Sequence, residues 1–453
     1  MKICLVYPNT TKFPLRIFKK VGGVQSSSFS YPPLGMLYII SNSKYRIDFI
    51  NNCIYKYSDK KLYNVLSEYD IVGFGGTIYD YLQAKNVSNL LRNNGTLTIY
   101  GGPNATVNWQ KYINFFDIIV KGEGEITVDE LLNCIENKGL LRDIKGIVFQ
   151  ENGDIINNPD RPFIQNLDKL NYPAREILDL KKYQRHAKPY LDVYPVDTVI
   201  SSRGCPFSCT FCSSKHFWKR IYRARRPEEV VEEIKYLIDK FGTKGVFFRE
   251  DLFTASKKRV LEFCELVKPL SIDWVCEARV GTVDEEMVKA MKESGCKAML
   301  FGLESCSNKT LKLIDKRITV EQSLDAIKLC KKFGIYVAAS FMIGLPHETE
   351  SDMLHTIRTS KTWHLDHINY NRVFAIPRSE LYDLIKRKGL DRYDHNDIIL
   401  PDTEHVSADR VSLICNKAPN WKTRFWYQIP ASIRRRIKMY SGLYGRLHKW
   451  AKD

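Results

Sequence analysis

Three cysteines are spaced to hold one metal centre. Cys205, Cys209 and Cys212 stand in C-x3-C-x2-C order within Arg203-Gly204-Cys205-Pro206-Phe207-Ser208-Cys209-Thr210-Phe211-Cys212. Thiolates are soft, strong ligands, and three on one short loop can bind a single centre while leaving a coordination position empty. A closed iron–sulfur cube takes four cysteines. Three point to a cube whose fourth iron is left for an exchangeable ligand. Two other readings use the same residues. One is a structural zinc site completed by His216. The other is three buried thiols that act only as small hydrophobes.

The segments around the loop must position it. A strand is predicted over residues 196–201. After the loop come Arg220, Arg223, Arg225 and Arg226, then a helix opened by Pro227-Glu228-Glu229. Proline and acids suit a helical first turn. Further strands are predicted over 244–249, 272–278, 297–303, 335–343 and 367–375. Helices are predicted over 227–241, 256–267, 284–294, 319–333, 350–363 and 379–387. That makes six strand–helix units, and barrel sites collect at the C-terminal strand ends. Glu250 and Asp251 follow the second strand and suit a cationic amine. Arg279 follows the third and suits a carboxylate through its planar fork. Glu304 follows the fourth. Ser340 lies within the fifth strand and Gly344 at its end. Any one of these is equally explained as a cap or surface pair.

Residues 1–140 also alternate. Strands are predicted over 2–7, 46–51, 70–76, 97–100 and 117–120. Helices are predicted from 36 onward and over 59–68, 81–94 and 125–136. Such alternation implies a doubly wound parallel sheet with its ligand crevice at the C-terminal strand ends. Gly75, Gly76, Gly101, Gly102, Gly122 and Gly124 sit there, as turns or as places of close backbone approach. Residues 141–195 read as a connector, with a hairpin over 146–156 turning at Asn152-Gly153 and then a strap rich in Pro and Asp.

The cysteine loop, with Phe211 before its last cysteine, resembles the signature of the radical S-adenosylmethionine (radical SAM) superfamily. Residues 1–140 resemble the cobalamin-binding domain of many of its members. That likeness is carried by PPLG (32–35), GFGGT (73–77), GGPNAT (101–106) and KGEGE (121–125). The resemblance covers residues 1 to about 390 and implies an α/β chain. Its parts would be a Rossmann-like cobalamin-type domain (1–140), the connector (141–195), a six-unit partial TIM barrel (196–390) and a basic, aromatic extension (391–453). It also implies a 4Fe-4S cluster on Cys205, Cys209 and Cys212. S-adenosylmethionine would chelate the open iron and be cleaved reductively to a 5′-deoxyadenosyl radical. The implied S-adenosylmethionine contacts are Glu250 and Asp251 for the amine and Arg279 for the carboxylate. Glu304 would meet the ribose, Ser340 and Gly344 the ribose or adenine, and Phe211 the adenine face. The implied cobalamin contacts are Pro33, Gly35, Gly76, Thr77, Gly101, Gly102, Asn104, Gly122 and Glu123. All nine histidines lie at or after His186, so this domain has no axial imidazole to give. Asn104 stands where relatives often carry histidine. Cobalamin would then have its lower face open or met by another group, or the domain would bind none.

Composition bounds the rest. A chain of 453 residues holds two or three domains. Its twelve cysteines lack paired spacing outside the loop, which points to a reducing cytoplasm. The N-terminus has no long apolar run, and no apolar stretch reaches spanning length. The net charge is +17. Residues 417–453 hold ten Lys/Arg and one Asp, a net +9. Nucleic-acid binding by the whole protein is therefore not expected. The basic tail carries Trp421, Trp426 and Trp450, which suits packing on the barrel, peripheral contact with a membrane surface, an acidic substrate or RNA. The expected function is cobalamin-dependent methyl transfer to an unactivated carbon of a biosynthetic intermediate. A small-molecule or lipid-like substrate and a reducing electron donor would be the partners. The alternatives are a radical SAM oxidative cyclase or rearrangement enzyme without cobalamin, and a zinc-stabilised interaction protein.

Overall fold

The computed structural model describes residues 1–9, 31–78, 80–395 and 398–418. The first sheet contains β1 (Ile3–Tyr7), β2 (Ile47–Asn51), β3 (Ile71–Gly75), β4 (Leu97–Gly101) and β5 (Ile118–Val120). These five run parallel in the order 2-1-3-4-5. Their apolar runs are buried on both faces, as parallel strands require. Helices Leu34–Ser41 and Gly124–Glu136 cover one face. Asp59–Leu66, Tyr81–Arg92 and Pro103–Tyr112 cover the other. This is the doubly wound sheet expected from the alternation. Its winding reverses between β1 and β3, the switch point where such sheets open a crevice.

Two features differ from expectation. The 146–156 hairpin forms β6 (Ile147–Glu151) and β7 (Asp154–Asn157), but it does not belong to a connector. It extends the sheet antiparallel on β5, so the sheet continues past residue 140. Burial of Ile147, Val148 and Phe149 on the edge of the short β5 explains the recruitment. The helix Pro103–Tyr112 was not anticipated, although Pro103 directly after Gly102 is a start signal.

The second sheet is the partial barrel. β8 (Val196–Val199) leads to the short antiparallel pair β9 (Ser202–Arg203) and β10 (Arg223–Ala224), which brackets the cysteine loop. Then follow β11 (Gly245–Phe248), β12 (Asp273–Ala278), β13 (Cys296–Glu304), β14 (Tyr336–Ile343) and β15 (His367–Arg372). β8 and β11 to β15 form one parallel six-stranded sheet in sequential order. Alternation sends Phe248, Cys276, Phe301 and Phe341 outward onto the helices. Phe247, Val275, Ala298 and Tyr336 face inward. The connector is more than a strap. Its Tyr190 ring sits 6.1 Å from Phe247, 6.2 Å from Tyr336 and 5.9 Å from His367. Tyr336 and His367 open their strands, so this plug fills the N-terminal end of the barrel and leaves the C-terminal end open. A short helix, Asn308–Leu313, also went unanticipated.

Beyond β15, β16 (Tyr393–His395) pairs with β17 (Ile398–Leu400). Helix Ala408–Asn416 packs beside β15 and helix Glu350–Lys361 through Val411, Met353 and Ile343. The expected interfacial tail lies outside the described residues, apart from its first two. Among the described residues, no helix is long and apolar enough to cross a membrane.

Candidate active site

The cysteine loop leaves β9 at Gly204, whose φ is +87°. A Cβ there would lie 2.1 Å from the Ile221 carbonyl oxygen, so only glycine makes this turn. The Gly204 N–H donates to the Asp251 carboxylate at 3.2 Å. Thr210 N–H donates to Ile314 O at 3.0 Å, and Leu381 N–H to Thr210 O at 3.1 Å. The Ser208 hydroxyl donates to Asp315 at 2.6 Å. The loop is thus anchored to three parts of the barrel. Cys209 is buried, and Cys205 and Cys212 are partly buried. Burial raises the Cys205 thiol and pushes that of Cys212 to about 11. Both are protonated at neutral pH, and metal binding must displace those protons. Among the described residues no three His, Cys, Asp or Glu side chains converge at ligand distance, the three thiols included.

A buried ionic joint ties this loop to the first sheet. Arg203, two residues before Cys205, reaches Glu123 and Glu125, each at 2.6 Å. Arg223 meets Glu123 at 2.8 Å and donates to Ile164 O at 2.6 Å. The Ile164 N–H donates to Glu123 Oε2 at 2.8 Å. Both Glu123 oxygens are therefore committed to the joint between the sheets and not free for a ligand.

A cavity of about 780 Å³ opens between the C-terminal ends of the two sheets. Gly75, Gly76, Gly101, Gly102 and Gly122 line the side that belongs to the first sheet. At Gly102, with φ +104°, a Cβ would come 3.1 Å from Gly76 O. At Gly35 and Gly122 a Cβ would meet nothing within 4 Å, so bare backbone faces open space. Such a wall fits a large flat ligand, and a corrin ring is one. Pro33, Gly35, Gly76, Thr77, Gly101, Gly102, Gly122 and Glu123 line the cavity, Glu123 with both carboxylate oxygens already engaged. Asn104 does not. Its amide is buried and donates to the hydroxyls of Tyr100 at 3.2 Å and Tyr112 at 2.8 Å. The unanticipated helix turns this residue into the aromatic core, away from the crevice.

The barrel side of the same cavity includes Ser202, Arg203, Arg249, Glu250, Asp251 and Glu277. Glu250 accepts from Ser201 N–H at 2.6 Å, Ser202 N–H at 2.8 Å and the Ser201 hydroxyl at 2.9 Å. It locks the chain before the loop and is not the free amine acceptor expected. Asp251 lines the cavity and holds Gly204, and the Ser214 and Trp218 side chains also act on its carboxylate. Arg279 is buried beside the cysteines. Its Nη1 lies 3.7 Å from Cys209 Sγ, and its plane stacks 3.8 Å from the Phe207 ring. Its other nitrogen donates to the Lys316 carbonyl. Glu304 is ion-paired with Lys316 at 2.7 Å, and that ammonium sits 5.8 Å from the Phe211 ring. Ser340 shares the inward face of β14 with Tyr336. Gly344, with φ +92°, donates to Glu348 at 2.9 Å, and a Cβ there would strike Val411 at 2.4 Å. Its glycine is required by packing. Of the expected S-adenosylmethionine set, only Glu250 and Asp251 line the cavity; Arg279 adjoins Cys209, and Glu304 is already paired.

Sequence reasoning missed Arg203 as a joint, and missed Tyr7, Arg249 and Glu277 as cavity residues. An acid inside the apolar run of β12 was the available signal for Glu277. The charged groups that act on His216 are Lys215, Glu380, Asp383 and Arg378. Cys306 is buried against Thr356 O at 3.6 Å, and burial pushes its thiol to about 12, which suits packing.

Comparison with known proteins places this geometry. Residues 199–359 match the family model of the radical SAM superfamily. An uncharacterized methyltransferase of Pyrococcus horikoshii is 32% identical over 437 residues, covering 92% of this chain and 91% of its own. An anaerobic magnesium-protoporphyrin IX monomethyl ester cyclase of Rubrivivax gelatinosus is 27% identical over 375 residues, covering 79% of this chain and 66% of the relative. The solved radical SAM methyltransferase TsrM from Kitasatospora setae superposes with a TM-score of 0.69 at 14% identity, over 90% of this chain and 82% of that one. The cobalamin-dependent radical enzyme OxsB gives 0.73 at 15% identity, over 98% and 71%. The structural likeness shows a shared fold across both sheets. With that fold, the matched barrel and a relative spanning nearly its whole length, the chain belongs to the radical SAM superfamily, and membership assigns it a 4Fe-4S cluster and S-adenosylmethionine.

Proposed function

We propose that this protein is a cobalamin-dependent radical SAM methyltransferase that methylates an unactivated carbon of a small-molecule intermediate. One observation carries the reading. A single cavity has the glycine wall of a corrinoid-type sheet on one side and the barrel strand ends beside the cysteine loop on the other. When bound, the cluster with S-adenosylmethionine supplies a carbon-centred radical, and the corrinoid supplies a transferable methyl group. Cys205, Cys209 and Cys212 would hold the cluster, with Arg279 against Cys209. Pro33, Gly35, Gly76, Thr77, Gly101, Gly102 and Gly122 would hold the corrinoid. Asp251 would take the cationic amine while it fixes Gly204. Ser340 would meet the ribose or adenine, and Phe211 would face the adenine.

The chain's own work is alignment and exclusion of water. Glu250 and the Arg203–Glu123 joint fix the cysteine loop relative to the glycine wall. Tyr38, Ile200, Phe217 and Trp218 present apolar surface to the cavity, which protects a reactive radical from solvent. The Pyrococcus horikoshii relative, named a methyltransferase, supports the outcome. The likeness to a cyclase supports a second reading, oxidative ring closure without methyl transfer. A reducing cytoplasmic setting and a membrane-surface contact by the basic tail belong to the same proposal. They are supported by free cysteines throughout and by the charge of residues 417–453.

The test is product analysis after anaerobic reconstitution with iron, sulfide and hydroxocobalamin, then S-adenosylmethionine and dithionite. The expected products are 5′-deoxyadenosine and S-adenosylhomocysteine, with 5′-deoxyadenosine abolished in Cys209→Ala. 5′-Deoxyadenosine without S-adenosylhomocysteine would favour the cyclase reading. Unchanged cleavage by Cys209→Ala would contradict the ligand assignment.

A further inference from the structure

Two charged side chains, Arg249 and Glu277, face the cavity with no hydrogen bond or close ion pair to a described residue. Register pairs Phe248 of β11 with Cys276 of β12, so Arg249 and Glu277 are the next neighbours along the two strands. Phe247 and Val275 point into the barrel, and alternation sends Arg249 and Glu277 the same way. Both line the 780 Å³ cavity. Arg249 also lines an adjoining recess of about 270 Å³ with Tyr31 and Thr198. Its guanidinium is steadied 5.0 Å from the Phe247 ring and 5.9 Å from the Tyr31 ring. Neither side chain makes a hydrogen bond or close ion pair with a described residue, although each feels the other's charge. The nearby Glu250 and Asp251 differ, since both accept hydrogen bonds from the cysteine loop or the chain before it.

A guanidinium offers a planar fork that matches an oxyanion. An ionised carboxylate is acceptor-only, and leaving it unmatched in a confined site costs free energy that a ligand donor recovers. Burial raises Glu277 to about 6, eased by Arg249, so it is largely ionised at neutral pH. A pure hydrocarbon would leave both groups unmatched.

We propose that Arg249 and Glu277 form a two-point substrate site for a small molecule carrying an oxyanion, carboxylate or phosphate, beside an ammonium or hydroxyl donor. This rests on the reading that substrate enters the shared cavity, and it turns the expectation of a lipid-like substrate toward a polar one.

Anaerobic titration calorimetry on the full reconstituted chain tests it with matched probes. Phosphoethanolamine and ethyl phosphate share an oxyanion, and only the first has an ammonium. β-Alanine and propionate repeat the comparison with a carboxylate, so the two arms separate the oxyanion sources. In the preferred arm, the ammonium-bearing probe should bind about tenfold tighter, the value of one charged hydrogen bond. Glu277→Gln should erase that difference. Arg249→Gln should weaken both probes of that arm by about tenfold, and Arg249→Lys by less. Thermal melts of each variant confirm the fold. Equal affinities within both pairs, indifference to Arg249→Gln in a folded variant, or no saturable heat from any probe would each overturn the site. Binding is read without turnover. Probes that bind as expected while no 5′-deoxyadenosine forms would keep the site and remove the proposed chemistry, and the converse holds.

Discussion

Glu348 is fully buried at the turn after β14, and among the described residues no cation acts on it. Its Oε2 accepts from the N–H groups of Gly344 and Leu345, each at 2.9 Å, while Oε1 has no partner among the described residues. Burial raises its carboxyl from 4.5 to about 7, against the lowering effect of those two bonds. The folded state therefore holds the proton more tightly than the unfolded one. This stabilisation is complete below pH 4.5 and is lost as pH rises through about 7, on the order of 3 kcal/mol in all. Glu348→Gln keeps the acceptor without the charge. Its melting temperature should exceed wild type at pH 8, and the gap should close toward pH 5. A constant gap across that range would contradict the assignment. At Gly204 the constraint is steric. Gly204→Ala forces a methyl onto the Ile221 carbonyl, so iron retained after reconstitution should fall well below wild type. Residue identity was legible where chemistry sets the spacing, as in the three cysteines. It was not legible for Asn104 or Glu277, because helix placement and strand register decide where a side chain points.

At the scale of elements, the joint of Glu123, Glu125, Arg203 and Arg223 couples the first sheet to the cysteine loop. Breaking a buried pair by deleting one partner costs about 3–5 kcal/mol, since the other charge is left uncompensated. Glu123→Ala strands parts of two guanidiniums. It should lower the melting temperature and reduce bound iron together, although Glu123 is not a cysteine-loop residue. Loss of stability with iron fully retained would show that the joint does not position the loop. Strands and helices were largely legible here because punctuation agreed with periodicity. Pro227 opens a helix and Gly242 closes it, and Thr319 caps another with Gln322. The edge hairpin and the Tyr190 plug were not legible. Each is recruited by a surface that exists only once another part of the chain has folded.

At the scale of the molecule, two open ends face one another. The glycine wall at the switch point of the first sheet meets the unplugged end of the barrel, and one cavity spans both. Two such domains could be linked without sharing a site. Here the joint and the cysteine-loop contacts fix their alignment, so methyl donor and radical source would open into one space. The sequence pattern foretold both architectures but not their common cavity, which depends on contacts between residues about 80 to 100 apart.

The most direct measurement is iron, sulfide and cobalt content on one anaerobically reconstituted sample, with its ultraviolet–visible spectrum, in wild type and in Cys209→Ala. The account predicts about four irons, four sulfides and one cobalt per chain in wild type. In Cys209→Ala it predicts lost iron with cobalt retained, because the glycine wall stands apart from the thiols. An iron–sulfur protein that takes up no cobalt would contradict the shared-cavity account.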